Sequence, residues 1–457
     1  MSKVLPHSLN FIASVIIIMM KEMLKPIIRT ASLLFLIAIT PVFAVGAKEP
    51  LPIMGLSPDP GFPVWITADP ENYLPLSASQ TSGMSWYGSD KTPEGFHRDY
   101  MIIVDDDDIG GIHFIDITDT PSGPKLTFHY PDLTLPEPGV AGFRFRSGYD
   151  WEAFSIHQST KTFFIAQEGH ADEIAVYHGR ISPAPFRPDP NSGLSNNFGE
   201  IRMFPGSLTN IRKLNLPGWN EAFGGKFSDN IGIEGLACSD DRLFAGLESP
   251  YDYNTRIISE CSTILAIWSI NPSNPLDMEN CELLAVHDTA DWKKSLGFTI
   301  ETICGLHAID RNRVIGIDRD NLRLFAVEFD DSGNFIGGRI FILDAPGPAP
   351  LESDSCPPRE SLPKLVKPSL ESITAVPVYS DAESEFPSAY KIYLACDPWA
   401  PGWRIADLTW GCPAYRDRLN ALLPAMYRYT VSVRTLFPQT ESDLLLVGNR
   451  PAIRNSE

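Results

Sequence analysis

Residues 230–250 read NIGIEGLACSDDRLFAGLESP, and this stretch decides the fold. It contains two short apolar runs, IEGLA and LFAGLE, separated by the polar turn SDD at 239–241. Runs of this length around such a turn are typical of a β-hairpin. Glu234 lies near the start of the first run and Glu248 at the end of the second. Antiparallel pairing therefore brings the two carboxylates to the same edge of the hairpin.

The same pattern of two apolar runs and two acids recurs along the chain. The further pairs are Glu152 with Glu168, Glu301 with Asp318, and Glu371 with Asp397. A weaker first copy, TSGMSWYG followed by YMIIVDDDD, has Ser82 in place of the first acid and ends at Asp105. The first positions (82, 152, 234, 301 and 371) are separated by 70, 82, 67 and 70 residues by subtraction. A strand pair repeated at a nearly constant period predicts a β-propeller.

The number of repeats predicts an all-β fold, a six-bladed β-propeller. Five repeats are visible, and we expect the sixth blade to be shared between the two ends of the chain. Its strands would come from MYRYTVSV at 426–433, DLLLVG at 443–448 and the N-terminal stretch 51–80. Closure of the ring by N- and C-terminal strands in one blade removes free sheet edges. Residues 48–457 are thus predicted to form a single propeller domain.

Composition agrees with many short strands and turns. The 457 residues include 40 prolines and 33 glycines spread along the chain, and 43% are hydrophobic. This apolar content is enough for a sizeable core. The formal net charge is −20, which excludes nucleic acid as a partner and favours cations. A phosphorylated substrate would need a metal ion or a local basic patch.

The N-terminal residues 1–47 have the pattern of a secretory signal. Lys21, Lys25 and Arg29 precede the apolar run ASLLFLIAIT, which ends in small residues suited to cleavage after Ala44 or Ala47. We therefore predict an exported protein, periplasmic or secreted, with no stable membrane span after cleavage. The alternative is an N-terminal membrane anchor.

Seven cysteines follow the signal, and none has CxxC spacing, so a zinc site of that type is not indicated. Export permits disulfides. By separation in sequence, the candidate pairs are Cys261 with Cys281 and Cys396 with Cys412.

Several of these stretches resemble a known family. NIGIEGLA with LFAGLESP, and WEAFSI with FFIAQEGHADEIAVY, resemble the phytase-like domain family ("esterase-like activity of phytase"), which is related to the calcium-dependent β-propeller phytases. The resemblance extends through TSGMSWYG with VDDDD and IETICGL with IGIDRDN, and covers residues 75–400. It implies a six-bladed propeller in which Glu152, Glu234, Glu301 and Glu371 face the channel.

The acids themselves point to calcium. Innermost propeller strands converge on the axis, so one acid per repeat predicts a ring of carboxylates there. Hard oxygen ligands in excess suit Ca²⁺. The predicted metal ligands are Asp105, Glu152, Glu168, Glu234, Glu248, Glu301, Asp318, Glu371 and Asp397. In the alternative interpretation these acids accept backbone hydrogen bonds and only maintain the geometry of the blades.

Basic residues near the acids are candidates for anion binding. Arg144 and Arg146 precede Glu152 and have side chains able to hold phosphate oxygens in pairs. In the alternative interpretation, each arginine only balances an adjacent acid. Arg319 directly follows Asp318 and could also hold phosphate oxygens, but we predict that it balances this adjacent acid.

The candidate catalytic residues are Glu234, Glu301 and Arg144. His157 and His170 flank the second repeat and are interpreted either as a general acid or, in the commoner case, as polar surface.

Three functions remain after motif searches exclude others. The chain has no GxSxG elbow, no GxxxxGK[ST] loop and no HExxH pair. The leading prediction is a calcium-dependent phosphoester hydrolase, a monomer acting on a small phosphorylated or ester substrate. The alternatives are a non-catalytic propeller that binds a ligand or partner, and a calcium-dependent lactonase or esterase.

Overall fold

A computed structural model describes most of the predicted repeats. The described residues are 51–65, 67–69, 74–75, 81–91, 97–105, 112–117, 119–120, 123–124, 127–129, 151–168, 174–184, 204–228, 231–252, 257–258, 262–346, 368–381, 384, 386–397 and 425–438. The predicted signal, residues 1–47, lies outside them and stays a prediction. Contacts assign Pro50–Glu457 to one unit.

Short strands dominate the described residues. They are β1 Met54–Leu56, β2 Val64–Trp65, β3 Thr67–Asp69, β4 Leu74–Pro75, β5 Thr81–Lys91, β6 His97–Asp105, β7 Ile112–Asp116, β8 Asp119–Thr120, β9 Gly123–Pro124, β10 Thr127–His129, β11 Trp151–His157, β12 Thr162–Gln167, β13 Ala175–Ala184, β14 Phe204–Lys213, β15 Ile233–Cys238, β16 Arg242–Leu247, β17 Tyr251–Asp252, β18 Ile257–Ile258, β19 Ile264–Ser269, β20 Glu282–Asp288, β21 Leu306–Ala308, β22 Arg313–Asp318, β23 Arg323–Phe329, β24 Phe335–Leu343, β25 Ser369–Val378, β26 Ala389–Asp397 and β27 Ala425–Ser432.

Helices are few and short. The α-helices are α1 Trp219–Phe223, α2 Lys293–Leu296 and α3 Val433–Leu436, and the 3₁₀-helices are Met278–Asn280, Thr289–Trp292 and Arg319–Asn321. Within the described ranges, no helix is long and apolar enough to cross a membrane.

Five sheets contain four or more strands. From the innermost strand outward, sheet 1 consists of β5, β6, β7 and β10; sheet 2 of β11, β12, β13 and β14; and sheet 3 of β15, β16, β19 and β20. Sheet 4 consists of β21, β22, β23, β24 and β1, and sheet 5 of β25, β26, β27 and β2. Strands pair antiparallel in each of these sheets, except that β1 runs parallel to β24.

The sheets form a propeller-like ring. Their innermost strands contact one another in order, and β25 of sheet 5 contacts β5 of sheet 1. At this junction the backbone N–H of Trp86 donates to Thr374 Oγ1 at 2.7 Å. The all-β, propeller-like class predicted from the repeats is thus confirmed.

The core lies between neighbouring sheets. Successive side chains of a strand point to opposite faces, so in β22 Val314 joins the apolar cluster shared with Phe244 of sheet 3, and Ile315 joins the cluster shared with sheet 5. Another cluster joins Met84 of sheet 1 to Tyr393 of sheet 5. Each fully buried aliphatic or aromatic side chain of this kind contributes roughly 1.5–3 kcal/mol of transfer free energy.

The predicted number of six blades is not found among the described residues, which form five large sheets. MYRYTVS, predicted to start a sixth blade, is instead β27, which pairs with β26 in sheet 5. The N-terminal β2 then pairs with β27, with Val64 opposite Met426. The two ends of the chain therefore meet in one sheet as predicted, but they complete the fifth sheet. DLLLVG lies outside the described residues.

One of the two candidate disulfides is contradicted. Cys281 is a buried free thiol, so it does not pair with Cys261. The other pair includes Cys412, which lies outside the described residues.

Candidate functional site

The first acid of a repeat lies in a β-bulge of an innermost strand. The pairing of β11 with β12 skips Glu152, and that of β15 with β16 skips Glu234. The pairing of β25 with β26 skips Glu371, and that of β5 with β6 skips Ser82. A bulge inserts one extra residue into a strand and re-aims its side chain. This local feature allows the glutamates to meet residues of other sheets.

Three buried carboxylates form what we call the acidic cluster: Glu152, Glu168 and Glu234. One oxygen from each lies within 4.8 Å of the others. Glu152, Glu168 and Glu234 are only 8%, 4% and 7% exposed, respectively. Glu152 and Glu168 come from sheet 2 and Glu234 from sheet 3. Carboxylates this close repel one another unless a cation or protons are present.

Arg319 organises a second group of acids, which we call the arginine group. Its guanidinium donates to Glu371 Oε2 at 2.7 Å and to Glu248 Oε1, and it lies 3.7 Å from Glu234 Oε2. Burial acts to lower the pKa of Arg319, but neighbouring Cys304 and the three glutamates raise it above its ordinary value. The guanidinium therefore stays charged and joins acids from sheets 3 and 5.

The prediction that Arg319 balances the adjacent Asp318 is wrong. Asp318 instead lies 3.5 Å from the guanidinium of Arg323 and accepts hydrogen bonds from Thr302 and Asn321. Arg319 begins a 3₁₀ turn, where its backbone N–H donates to Thr302 Oγ1 at 3.0 Å. The turn separates the two adjacent side chains, and a sequence pattern does not show this.

Glu234 belongs to both groups, and charges from both act on its carboxyl. Burial raises the pKa of its carboxyl well above the usual range, the charges of Glu248, Glu371 and Glu168 add to the rise, and Arg319 opposes it. Its buried Oε2 accepts no hydrogen bond from the described residues. Burial likewise raises the pKa of Glu248, again against the charge of Arg319.

In sheet 4, Cys304 rather than Glu301 takes the place of the first acid. The backbone N–H of Cys304 donates to Ile317 O, and Ile317 N–H donates to Gly305 O, so both residues lie opposite Ile317. The Cys304 sulfur lies within 4.8 Å of carboxylate oxygens of Glu234 and Glu248.

A glycine follows both Glu234 and Cys304, and its contacts support this alignment. A Cβ built on Gly235 would meet Ile303 of sheet 4's repeat, and one on Gly305 would meet Ile373 of sheet 5. The preceding residues, Glu234 and Cys304, therefore correspond. The stretches IEGL and ICGL contain this signal, which the spacing of acids alone had missed. Burial raises the pKa of the Cys304 thiol well above its usual range, so this position is uncharged.

Glu301 and Asp318 lie apart from the acidic cluster. Glu301 is half-buried and acts on Asp318 through its charge. Burial raises the pKa of Asp318 to about 6, while Arg323, Asn321 and Thr302 oppose the rise. The structure thus brings together Glu152, Glu168, Glu234, Glu248 and Glu371 of the predicted metal ligands.

The remaining predicted residues take other places. Arg144, Arg146 and His170 lie outside the described residues, as do the side chains of Asp105 and Asp397. The backbone of Asp105 pairs with Thr81. Gln167 and Leu247 hold the equivalent position in sheets 2 and 3. Asp105 therefore corresponds to the residue before Glu168 or Glu248, not to the second acid itself.

His157 has a structural role. It is fully buried, and its ring nitrogens lie 2.7 Å from Thr160 Oγ1 and 2.9 Å from Asp240 O. These contacts link sheet 2 to the turn between β15 and β16, so the interpretation of His157 as polar surface is wrong.

The acidic cluster fits a calcium-like cation. Ca²⁺ binds oxygens at about 2.3–2.6 Å, so two ligands on opposite sides of the ion are about 5 Å apart. Oxygens within 4.8 Å of one another satisfy this limit. Carboxylates are hard ligands and can bind with one or both oxygens. Glu152, Glu168 and Glu234 are therefore the residues that would hold the ion.

Comparisons with known proteins concern the fold. No protein-family model matches the chain, and no curated protein matches it. The α-L-arabinofuranosidase from Podospora anserina is similar over 83% of this chain and 98% of that one, at 10% identity and a TM-score of 0.35. The periplasmic gluconolactonase of Pseudomonas aeruginosa is similar over 56% of this chain and 54% of that one, at 11% identity and a TM-score of 0.26.

A putative 6-phosphogluconolactonase from Bacteroides fragilis is similar over 55% of this chain and 52% of its own length, at 12% identity and a TM-score of 0.26. The chain thus spans about half the length of the two lactonase structures. None of the three is named as a phytase, and the phytase-like resemblance stays a prediction.

Proposed function

We propose that the protein is a calcium-dependent hydrolase of small, uncharged carboxylic esters or lactones. The observation that supports this most is the acidic cluster, in which three buried carboxylates from two sheets lie within 4.8 Å of one another. Carboxylate oxygens brought this close together are the hard ligands that a divalent cation such as Ca²⁺ prefers. It is therefore a candidate cation site rather than a set of solvated surface acids.

The chemistry divides between the ion and the chain. A bound divalent cation supplies Lewis acidity that polarises a carbonyl oxygen. Glu152, Glu168 and Glu234 would hold the ion, and the bulges that carry Glu152 and Glu234 fix the direction of two of these side chains.

Glu248 is the residue that we assign to proton transfer. Burial raises the pKa of its carboxyl, which brings a carboxylic acid closer to the neutral range in which general acids and bases work best. It lies beside the acidic cluster, since it neighbours Glu234, and Arg319 holds its orientation by donating to Oε1. Glu248 is thus placed to accept a proton from water and to return one to the leaving alcohol.

Charge favours an ester over the predicted phosphoester. A phosphate group needs free cationic donors, but the guanidinium of Arg319 already serves Glu248 and Glu371. Among the described residues, a phosphate group would therefore compete with these two carboxylates for the guanidinium. A neutral ester or lactone would not.

The test is hydrolysis of a panel of γ- and δ-lactones, aryl esters and phosphomonoesters by the mature protein, with calcium and with chelator. We expect lactone or ester turnover that chelator abolishes. Glu152→Gln should lower kcat/KM at least tenfold, because it removes one ligand charge. Glu301→Gln is the matched control, since it neutralises a nearby glutamate outside the acidic cluster, and should retain activity.

The other outcomes are equally informative. Calcium-dependent phosphate release without ester hydrolysis would restore the phosphoester prediction. Absence of turnover by folded, calcium-loaded protein would favour the binding propeller instead.

A further inference from the structure

Arg319 occupies a position whose surrounding carboxylates are also suited to bind a metal ion. Three carboxylates from two sheets surround its guanidinium: Glu248 and Glu371 accept its hydrogen bonds, and Glu234 Oε2 lies 3.7 Å away. The side chains of all three are at most 16% exposed. The arginine is therefore a half-buried counter-ion to a set of oxygen ligands.

The ligand set is held in place independently of the arginine. Ser369 Oγ donates to Glu371 Oε1 at 2.5 Å, and the backbone N–H of Glu248 donates to Gly232 O at 3.0 Å. The bulge in β25 directs Glu371. These contacts do not involve Arg319, so they would remain after its removal.

One buried ligand atom in this group, Glu234 Oε2, is ion-paired with Arg319 but accepts no hydrogen bond from the described residues. Glu234 is only 7% exposed. Because Glu234 also belongs to the acidic cluster, it lies between the two positions. A carboxylate with two oxygens can bridge two cations.

From this geometry we propose that Arg319 limits the centre to one divalent cation by filling a second cation position formed by Glu234, Glu248 and Glu371. The inference rests on the proposed function for the first position, the acidic cluster. Arg319 acts as a positioning residue: it neutralises the second position and holds Glu248. Arg323, the first residue of β23, lies near Asp318 instead, with its Nη1 3.5 Å from Asp318 Oδ2.

The test counts bound calcium by isothermal titration and by equilibrium dialysis. We expect one calcium per wild-type chain and two per chain in Arg319→Met and in Arg319→Gln, whose amide retains a hydrogen-bond donor. Arg319→Lys keeps the charge and should keep one. Arg323→Met is the matched control, because it removes an arginine near the centre that does not contact the arginine group, and should also bind one.

Each outcome decides the proposal. A single calcium in both neutral variants, or two in the wild type, would overturn it. So would failure of both neutral variants to fold in millimolar calcium, since a cation should replace the lost charge. No calcium in the wild type but one in the variants would reject the proposed function and keep this inference. No calcium in any chain would reject both.

Discussion

The carboxyl of Asp318 allows the effect of burial on a pKa in this protein to be tested without any ligand. Its side chain is 0% exposed, and burial raises the pKa of the carboxyl from 3.8 to about 6. An acid whose pKa is higher in the folded state stabilises the fold only while it is protonated. Its contribution is therefore complete below pH 3.8 and is lost as the pH rises through 6.

The size of the effect follows from this shift. One pKa unit corresponds to about 1.4 kcal/mol, so a rise of roughly two units makes the carboxyl cost about 3 kcal/mol of folding free energy at pH 8 relative to pH 4. Asp318→Asn removes this titration. The amide oxygen can still accept a hydrogen bond from Thr302, and the stability of the variant has no contribution from this ionisation at any pH.

The measurement is the free energy of unfolding by urea for wild type and Asp318→Asn at half-unit intervals from pH 4 to pH 8. Taking the difference between the two chains cancels the other titrating groups. We expect the wild type to lose about 3 kcal/mol relative to the variant between pH 4 and pH 8. A difference that is constant with pH, or that changes in the opposite direction, would refute the assignment of burial as the dominant cause.

Three further predictions concern the packing at Gly246, the contact of Asp59 with β27 and the reactivity of the Cys304 thiol. Gly246→Ala places a Cβ against Ile303, 2.9 Å from its Cβ, and should destabilise by about 1–3 kcal/mol. Adding Ile303→Ala should cost less than the sum of the two single changes in urea unfolding, and strict additivity would contradict the overlap. Asp59→Ala removes hydrogen-bond acceptors for Arg428 and Thr430 at 2.7–2.9 Å and should destabilise the fold by about 2 kcal/mol. An unchanged melting temperature would show that this contact between the N-terminal stretch and β27 does not stabilise the fold. In the folded protein, Cys304 should resist alkylation at pH 8 as read by peptide mass spectrometry, because its buried thiol stays protonated, and rapid labelling would contradict this.

Much of the fold could be predicted because the repeating unit is local. The pairing of β15 with β16 and of β11 with β12 follows from short apolar runs around a turn, and both hairpins form. The number of blades could not be predicted in this way. The strand MYRYTVS has the same appearance whether it starts a sixth blade or completes the fifth, and only its contacts with β26 decide between them.

The candidate site likewise has parts that the sequence predicts and parts that only the structure shows. Glu152 and Glu168 are close because they flank one hairpin, and their proximity could be predicted from the sequence. The pairing opposite Ile317 establishes that Cys304 stands in the register of Glu234, and the shared pattern of IEGL and ICGL is the trace of it in the sequence. Spacing of acids along the chain favoured Glu301, because loop lengths differ by a few residues between repeats and do not report which residue enters the bulge.

By itself the sequence determined a ring of repeated β-hairpins, each with an acidic edge, since alternation, turns and period depend on neighbouring residues. Only the tertiary structure decided which of these edges neutralise one another. Arg319 meets Glu371, 52 positions later, and Glu248, 71 positions earlier, rather than the adjacent Asp318. Closing the ring brings distant repeats within a few ångströms, while a single 3₁₀ turn separates neighbours in the chain. Electrostatic energy depends on distance in space, so the charge balance of this centre is a property of the closed ring.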